Sequence, residues 1–210
     1  MAHYTFKQFQ AEYPDDDACL DKIMATRHGG SEIECPACKR TTKFHRITKR
    51  RAYACQSCGH HVYPCVGTPF EKSRTPLTHW FFAMYLMTST RHGVAAKELE
   101  RQLGVTYKTA WRMAHELRKL MAAADDHGPL SGWVEADETY VGGKRKGRRG
   151  RGAAGKTIVM GMAQRDGTIR AGIVPNVQKA TLGRVILTNV QRGSVLITDE
   201  LASYDSLGKD

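Results

Sequence analysis

The spacing of apolar residues predicts that the first part of the chain is helical. One or two short helices are predicted over residues 4–27, where aromatic and aliphatic side chains recur at helical intervals. Pro14 and the three aspartates after it are typical of a helix start. Three further helices are predicted over residues 76–90, 94–103 and 106–123, the last of them capped by Thr106. The buried side of this last helix is predicted to comprise Ala110, Trp111, Ala114, Leu117 and Leu120.

The last two predicted helices, joined by the turn Gly104-Val105, match the pattern of a helix-turn-helix. Tyr107, Lys108 and Arg112 are predicted to point outward from the early turns of the second helix, where such helices meet the base edges of DNA. The small residue usual in the first helix is not cleanly placed, because Glu100 stands five residues in from Ala96. A plain three-helix bundle therefore remains the alternative.

After a break at residues 125–129, the apolar residues alternate as they do in strands. Val134, Ala136, Thr139 and Val141 predict a first strand that ends at a glycine pair. Two more strands are predicted over residues 157–163 and 168–174, joined by a hairpin turn at Asp166-Gly167. A helix over 177–190 and a strand over 194–198 complete the order strand, strand, strand, helix, strand.

Carboxylates lie on the first and at the end of the fourth of these strands. Alternation puts Glu135 and Asp137 on one face of the first strand and Glu138 on the other. If the first and fourth strands are neighbours in one sheet, Asp137 and Asp199 converge. Two convergent carboxylates suit Mg²⁺, and a site of this kind can activate an attacking oxygen and stabilise a leaving one. Solvated acids on an edge strand, and a turn acid at Asp199, are the competing interpretations.

The cysteines predict a zinc site. Two Cys-x2-Cys pairs, separated by sixteen residues, supply Cys35, Cys38, Cys55 and Cys58. Two such knuckles at the tips of hairpins complete a tetrahedral site of four thiolates, which leaves no open position and is therefore structural. Ordinary reduced cysteines or a redox pair are the alternatives. Cys19 and Cys65 have no knuckle partner, and we expect buried free thiols.

The charge of the chain indicates an acidic partner. The 210 residues carry a formal net charge of +11 with a pI of about 9.5, which favours nucleic acid. Seven basic residues around the hairpin between the knuckles form either a DNA contact or a solvated face. A second basic run follows the first carboxylate strand and comprises the predicted DNA-binding residues Lys144, Arg145, Lys146, Arg148, Arg149 and Arg151. No signal peptide or membrane span is predicted, so a cytoplasmic location is expected.

Together these motifs resemble a known family. The two knuckles, residues 66–70 leading to 75–77, residues 107–111, residues 137–144, and Thr198-Asp199-Glu200 with Tyr204 stand in the order found in insertion-sequence transposases of the DDE type that carry an N-terminal zinc ribbon (the IS fifteen-ninety-five group). The resemblance implies a ribonuclease-H-like domain that cleaves DNA and transfers strands by means of metal-bound carboxylates. Asp137 and Asp199 would be the first and second catalytic aspartates, holding Mg²⁺ or Mn²⁺. Element ends and target DNA would be the partners, and a homo-oligomer is expected.

One departure from the family pattern concerns the third catalytic residue, which in the family lies on a helix well beyond the second aspartate. The sequence ends at Asp210, eleven residues after Asp199. We therefore expect impaired catalysis with zinc binding retained. The expected fold class is a multi-module α+β chain with an incomplete ribonuclease-H-like domain. The predicted modules are an N-terminal helical segment (1–31), a zinc ribbon (32–70), a helix-turn-helix region (71–127) and a partial catalytic domain (130–210). The alternative is a zinc-ribbon and helix-turn-helix DNA-binding protein without catalysis.

Overall fold

A computed structural model describes residues 4–90, 92–123, 128–143, 155–165, 167–199 and 201–204. The chain divides into two compact units, Met1–Ala122 and Ala123–Asp210. The first unit contains α1 (Phe6–Glu12), α2 (Asp16–His28), β1 (Glu32–Glu34), β2 (Thr41–Arg46), β3 (Tyr53–Cys55), β4 (His61–Val62), α3 (Leu77–Ser89), α4 (Ala96–Leu103) and α5 (Tyr107–Ala123). The second contains β5 (Trp133–Val141), β6 (Thr157–Gln164), β7 (Ile169–Val174), α6 (Lys179–Asn189) and β8 (Val195–Ile197).

Local side-chain and backbone signals set the ends of the first two helices. Thr5 caps α1 through a capping box with Gln8, and the Asp15 side chain accepts the Ala18 N–H at the start of α2. Helix α2 ends at Gly29, whose φ of 81° lies in the left-handed region that glycine adopts without strain. The prediction of one or two short helices over residues 4–27 is confirmed, and the structure has two.

One hydrophobic core joins the helices to the small antiparallel sheet β1-β2-β3-β4. Phe44 and Tyr53 of the sheet lie in the same cluster as Leu20 of α2, Trp80 of α3 and Met113 of α5. The segments predicted as separate modules within the first 127 residues therefore pack on a shared core. The boundaries between those modules remain predictions.

The predicted buried face of α5 was partly wrong. Trp111 and Leu120 are 53% and 41% exposed, whereas Met113 is fully buried. The buried face of α5 consists of residues at helical spacing, namely Ala110, Met113, Ala114 and Leu117. Trp111 directly follows Ala110, so its side chain points away from this face. The Trp111 ring instead stacks on His115, with ring centroids 5.2 Å apart.

The second unit is a four-stranded sheet of order β7-β6-β5-β8. Strands β5, β6 and β7 are antiparallel neighbours, and β8 pairs with β5 in parallel. One face of the sheet packs on α6, with Leu182 and Ile186 among the buried residues. The predicted order of strands and helix is confirmed. Within the described ranges, no helix is both long and apolar enough to cross a bilayer.

A carboxylate from α2 stabilises the start of α3. Helix α3 follows Pro76, which offers no side-chain cap, and Asp16 accepts hydrogen bonds from the backbone N–H and the hydroxyl of Thr78 at 2.9 and 3.0 Å. Partial burial opposes the charged form of Asp16, but the N–H groups of Thr78 and Leu77, the Thr78 hydroxyl and Arg51 outweigh it. The pKa of Asp16 is therefore lowered from its usual value.

We expect Asp16→Ala to lower the free energy of unfolding of the first unit by about 1 kcal/mol at neutral pH. Because the folded-state pKa of Asp16 is depressed, its contribution is present above the unfolded pKa of about 4 and is lost as the pH falls through the folded value. Urea titrations between neutral and acidic pH should therefore show that the difference from wild type shrinks towards acid. A pH-independent difference would contradict this assignment.

Candidate functional site

The two cysteine knuckles have the same backbone geometry. The Cys35 carbonyl accepts the Lys39 N–H, and the Cys55 carbonyl accepts the Gly59 N–H, each at 2.9 Å. Lys39 and Gly59 both have a left-handed backbone, with φ of 58° and 71°. This turn directs both thiols of a knuckle to the same side. The turn has room for two residues between its cysteines, which explains the Cys-x2-Cys spacing.

The four thiols converge on one point. The sulfur atoms of Cys35, Cys38, Cys55 and Cys58 all lie within 4.8 Å of one another. The Cys35–Cys58 and Cys38–Cys55 sulfur pairs are 3.6 and 3.9 Å apart. Four thiolates around a tetrahedral zinc ion at about 2.3 Å stand about 3.8 Å apart, so the cluster fits zinc.

The four thiols of the cluster differ in how readily they ionise, whereas a zinc site requires all of them to be deprotonated. At Cys58 the His60 N–H favours the ionised form, but burial and the neighbouring thiols outweigh it and raise the pKa to about 12. Burial opposes ionisation of Cys35, but the backbone N–H groups of Cys38 and Ala37 and the neighbouring thiols lower its pKa overall to about 6. Cys19, by contrast, is fully buried away from the cluster, and burial followed by the charges of Asp16 and Asp15 raises its pKa to about 12. Cys19 and Cys65 are both free buried thiols, as predicted.

The predicted DNA-contact residues of α5 lie on its surface. Tyr107, Lys108 and Arg112 are all exposed. The Lys97 ammonium stands 5.9 Å from the Tyr107 ring centroid, and the Arg112 guanidinium lies 5.6 Å from the Trp80 ring centroid. This arrangement brings a second lysine to the exposed side of α5. The predicted residues Lys144, Arg145, Lys146, Arg148, Arg149 and Arg151 lie outside the described residues.

Two arginines of the zinc-ribbon hairpin are engaged within the fold. Arg46 pairs with Asp17, and Arg51 donates to the carbonyls of Ser73 and Thr75 at 3.0 and 2.9 Å. The Arg46 side chain thus neutralises the Asp17 carboxylate, and the Arg51 side chain stabilises the loop that contains Ser73 and Thr75. The remaining basic residues of the hairpin are the ones available to a polyanion.

Asp137 and Asp199 lie on the same open face of the second sheet. Trp133, Val134 and Glu135 of β5 pair with Val195, Leu196 and Ile197 of β8. Each pair is sixty-two positions apart, and the same offset relates Asp137 to Asp199. Both exposed aspartates line one open cavity of about 640 Å³. The strand adjacency on which the predicted convergence depended is therefore present, and the convergence of the two carboxylates on one cation stays a prediction.

Backbone amides orient the two carboxylates. The Glu138 N–H donates to Asp137 Oδ1 at 2.8 Å, and the Leu201 N–H donates to Asp199 Oδ1 at 3.2 Å. Glu135, on the same face, forms an ion pair with Arg165 at 2.8 Å, and the Arg165 guanidinium lies 5.3 Å from the Trp133 ring centroid. Arg165 thus neutralises the other carboxylate that β5 presents on the same face as Asp137.

Glu138 points to the other face, as alternation predicted, and is half-buried. It accepts a hydrogen bond from the Tyr204 hydroxyl at 2.9 Å. Burial of Tyr204, the bond to Glu138 and the nearby charges of Asp199 and Asp137 raise the pKa of this hydroxyl above its usual value. The hydroxyl therefore remains a donor at neutral pH.

Comparison with known proteins identifies the family. A model described as the ISXO2-like transposase domain matches residues 129–210, and a model described as the transposase zinc-ribbon domain matches residues 14–61. An uncharacterized protein in transposable element ISH50 of Halobacterium salinarum is 32% identical over an alignment that covers 90% of this chain and 69% of the relative. The chain belongs to the ISXO2-like insertion-sequence transposases. No solved structure matches.

The donors present in this transposase chain fit two kinds of metal. The sulfur cluster in the zinc-ribbon match suits zinc, and the carboxylate oxygens of Asp137 and Asp199 suit a hard divalent ion. Among the described residues, the cysteines form the only group of three or more mutually close His, Cys, Asp or Glu ligands. Within the described ranges, the candidate carboxylate site therefore consists of two acidic residues, Asp137 and Asp199.

Sequence reasoning did not identify three contacts made with the acidic residues of β5. Arg165, Gly161 and the Tyr204 hydroxyl reach Glu135, Asp137 and Glu138 across strand pairings or a loop. The hairpin turn predicted at Asp166-Gly167 signalled that β6 pairs with β7, but no local signal placed β6 beside β5. Tyr204 belonged to the family motif, but its direction depends on a loop without periodicity.

Cys38→Ala and Cys58→Ala are each expected to remove the zinc of this transposase chain, because three thiolates no longer close the tetrahedron. Zinc released from purified protein, measured with a metallochromic indicator, should fall from about one ion per chain to near zero. Cys19→Ala is the matched control. It removes a buried thiol outside the cluster and should keep the metal. Equal zinc loss in all three variants would contradict the assignment.

Proposed function

We propose that this chain binds DNA and that Asp137 and Asp199 form the metal-dependent phosphoryl-transfer site of an insertion-sequence transposase. The reaction is cleavage of a DNA strand at the element ends, followed by transfer of that strand into target DNA. The observation that carries the proposal is the parallel pairing of β5 with β8, in a register that relates the two aspartates across one open cavity.

The topology of the second unit supports a ribonuclease-H-like domain. Three antiparallel strands lead through α6 to β8, which returns beside β5 at the edge of the sheet, so that β5 is an interior strand. The arrangement sets the first carboxylate within a central strand and the second just beyond its parallel neighbour. Carboxylates are commonly displayed at such a point, because the chain emerges there from the sheet.

The two aspartates would hold Mg²⁺ or Mn²⁺, which would activate the attacking oxygen and stabilise the leaving one. The chain itself orients the carboxylates through the amides of Glu138 and Leu201. The face around Asp137 has no covering helix in the described part of the second unit, and Ile169 and Ile173 there are 64% and 76% exposed. A DNA strand can therefore approach the carboxylates from the open side.

The first unit supplies the DNA-binding surface in this proposal. The turn at Gly104 between α4 and α5 has a left-handed φ of 63°, and α5 presents Tyr107, Lys108 and Arg112 outward. This geometry supports a helix-turn-helix in which α5 enters the major groove. The net charge of +11 supports additional phosphate contacts, including the basic run that follows β5. Structural zinc would shape the adjacent ribbon.

Asp137→Asn and Asp199→Asn should each lower metal-dependent strand cleavage by about 100-fold or more, because either change removes a charged metal ligand. The assay is Mg²⁺- or Mn²⁺-dependent nicking of a duplex that carries the element's terminal sequence. Duplex binding, followed by fluorescence anisotropy, should stay near wild type. Glu135→Gln is the comparison. It removes a carboxylate on the same strand face that is already paired with Arg165, and should cost far less.

The outcomes of this assay separate the two candidate functions. Binding without nicking in the unmodified chain would favour a DNA-binding protein without catalysis. Nicking that persists in Asp137→Asn would exclude the proposed site.

Gly161→Val should block cleavage while preserving the fold. Gly161 pairs with Asp137, and a Cβ there would meet only the Asp137 carbonyl oxygen, at an ordinary 3.8 Å. A β-branched residue suits a strand and should raise the free energy of unfolding by about 0.5 kcal/mol. The added methyl groups would occupy the cavity beside the Asp137 carboxylate.

Gly172→Val is the matched control for Gly161→Val. Gly172 pairs with Met160, so it belongs to the other face of the sheet, and a Cβ there meets nothing within 4 Å. Nicking rates and thermal melting should be measured for both variants. Wild-type nicking by Gly161→Val would show that the surface beside Asp137 is not where the DNA strand lies.

A further inference from the structure

A buried tyrosine connects the loop that carries Asp199 to the strand that carries Asp137. Tyr204 is 6% exposed and belongs to the hydrophobic cluster between the sheet and α6. Its hydroxyl donates to Glu138 Oε2 at 2.9 Å. Glu138 directly follows Asp137, and Tyr204 comes five residues after Asp199. One hydrogen bond therefore joins the two segments that supply the candidate ligands.

The loop between Asp199 and Tyr204 is held by further short-range bonds. The Leu201 N–H donates to Asp199 Oδ1 at 3.2 Å, and the Tyr204 N–H donates to the Leu201 carbonyl at 2.9 Å. The Ser203 hydroxyl donates to the Val177 carbonyl at 2.7 Å, which fixes the loop to the segment before α6. The Leu201 backbone thus bonds both to the Asp199 carboxylate and to the Tyr204 N–H.

We propose that Tyr204 is a positioning residue which, through Glu138, sets the separation of Asp137 and Asp199 that a divalent cation requires. The inference rests on the proposed function of the two aspartates. Alternation turns the Glu138 side chain to the face of β5 opposite that of Asp137, although both residues line the same open cavity. The hydrogen bond to Tyr204 therefore holds β5 from the face opposite the Asp137 carboxylate.

The surroundings of Tyr204 suit this role. Burial, then the bond to Glu138, and then the charges of Asp199 and Asp137 raise the pKa of the hydroxyl, so it stays protonated and keeps donating at neutral pH. A hydrogen bond to a charged acceptor in a partly buried site is stronger than one between neutral groups. Residues that orient metal ligands in this way commonly alter metal affinity about 10–100-fold when they are changed.

The test is Tyr204→Phe in the full 210-residue, zinc-loaded chain. The ring keeps its place in the core while the hydroxyl is lost, so Mn²⁺ affinity should fall about tenfold with little change in melting temperature. Mn²⁺ binding is measured by electron paramagnetic resonance titration without DNA. Asp137→Asn serves as the blank that defines binding outside the proposed site.

Two further variants distinguish positioning from a general structural role. Tyr140→Phe removes the hydroxyl of a half-buried tyrosine on β5. That hydroxyl makes no hydrogen bond within the described residues, so the variant should bind Mn²⁺ like wild type. Glu138→Gln keeps an acceptor oxygen and should retain more affinity than Glu138→Ala. Adding Tyr204→Phe to Glu138→Ala should cause no further loss, because the shared interaction is already gone.

The possible failures are distinguishable. If Asp137→Asn and Asp199→Asn bind Mn²⁺ like wild type, the proposed metal site itself is wrong. If both lose Mn²⁺ but Tyr204→Phe binds it with wild-type affinity, the site stands and the positioning role is overturned. A fall in melting temperature for Tyr204→Phe with unchanged Mn²⁺ affinity would also overturn it.

Discussion

The parallel pairing of β5 with β8 is the constraint on which the candidate chemistry depends. Only three residue pairs form this ladder, but side chains alternate along each strand, so the pairing fixes the face of every carboxylate beyond it. Burial selects the register, because a slip by one residue would expose Val134, which is fully buried. Backbone bonds outside the ladder add to it. Leu130 exchanges hydrogen bonds with Asn189 and Gln191 at 2.8 Å, and the Gly132 carbonyl accepts the Val195 N–H at the same distance.

Charged groups perform a different task in the first unit, where a small sheet and five helices share one core. The irregular chain between β4 and α3 has backbone carbonyls that need donors. Arg27 donates to the carbonyls of Pro64 and Val66, and Arg51 donates to those of Ser73 and Thr75. A basic side chain in a basic protein is thus not always a contact for nucleic acid. Some of the positive charge near the zinc ribbon is used to fix the loop that precedes α3.

The parts of the fold that could be predicted are those governed by periodicity or fixed spacing. Two Cys-x2-Cys pairs identified the sulfur cluster, and alternation separated Asp137 from Glu138 on β5. The strand order also followed from pattern, but the adjacency of β5 and β8 is a long-range choice that no local signal encodes. Trp111 shows the complementary failure. A large aromatic residue was assigned to the core by its type, although its position on the helix turns it outward onto His115. The hydrogen bond from Tyr204 to Glu138 joins residues sixty-six positions apart, and Tyr204 lies in an irregular loop. Hydrophobic periodicity therefore could not predict this bond.

The two faces of β5 have different roles, because one packs in the hydrophobic core and the other carries the residues of the candidate site. Val134 and Ala136 face the core with α6, whereas Glu135 and Asp137 are exposed on the opposite side. Hydrophobic burial on one side is sufficient to hold a twisted sheet, and the other side can then carry groups that burial would penalise. Because the Asp137 and Asp199 carboxylates make no contribution to that core, their replacement by asparagine should leave folding largely unaffected. Glu138 is the exception, since it stands on the core face and accepts the Tyr204 hydroxyl. Through Glu138, the packing of the second unit can therefore influence the geometry of the candidate site.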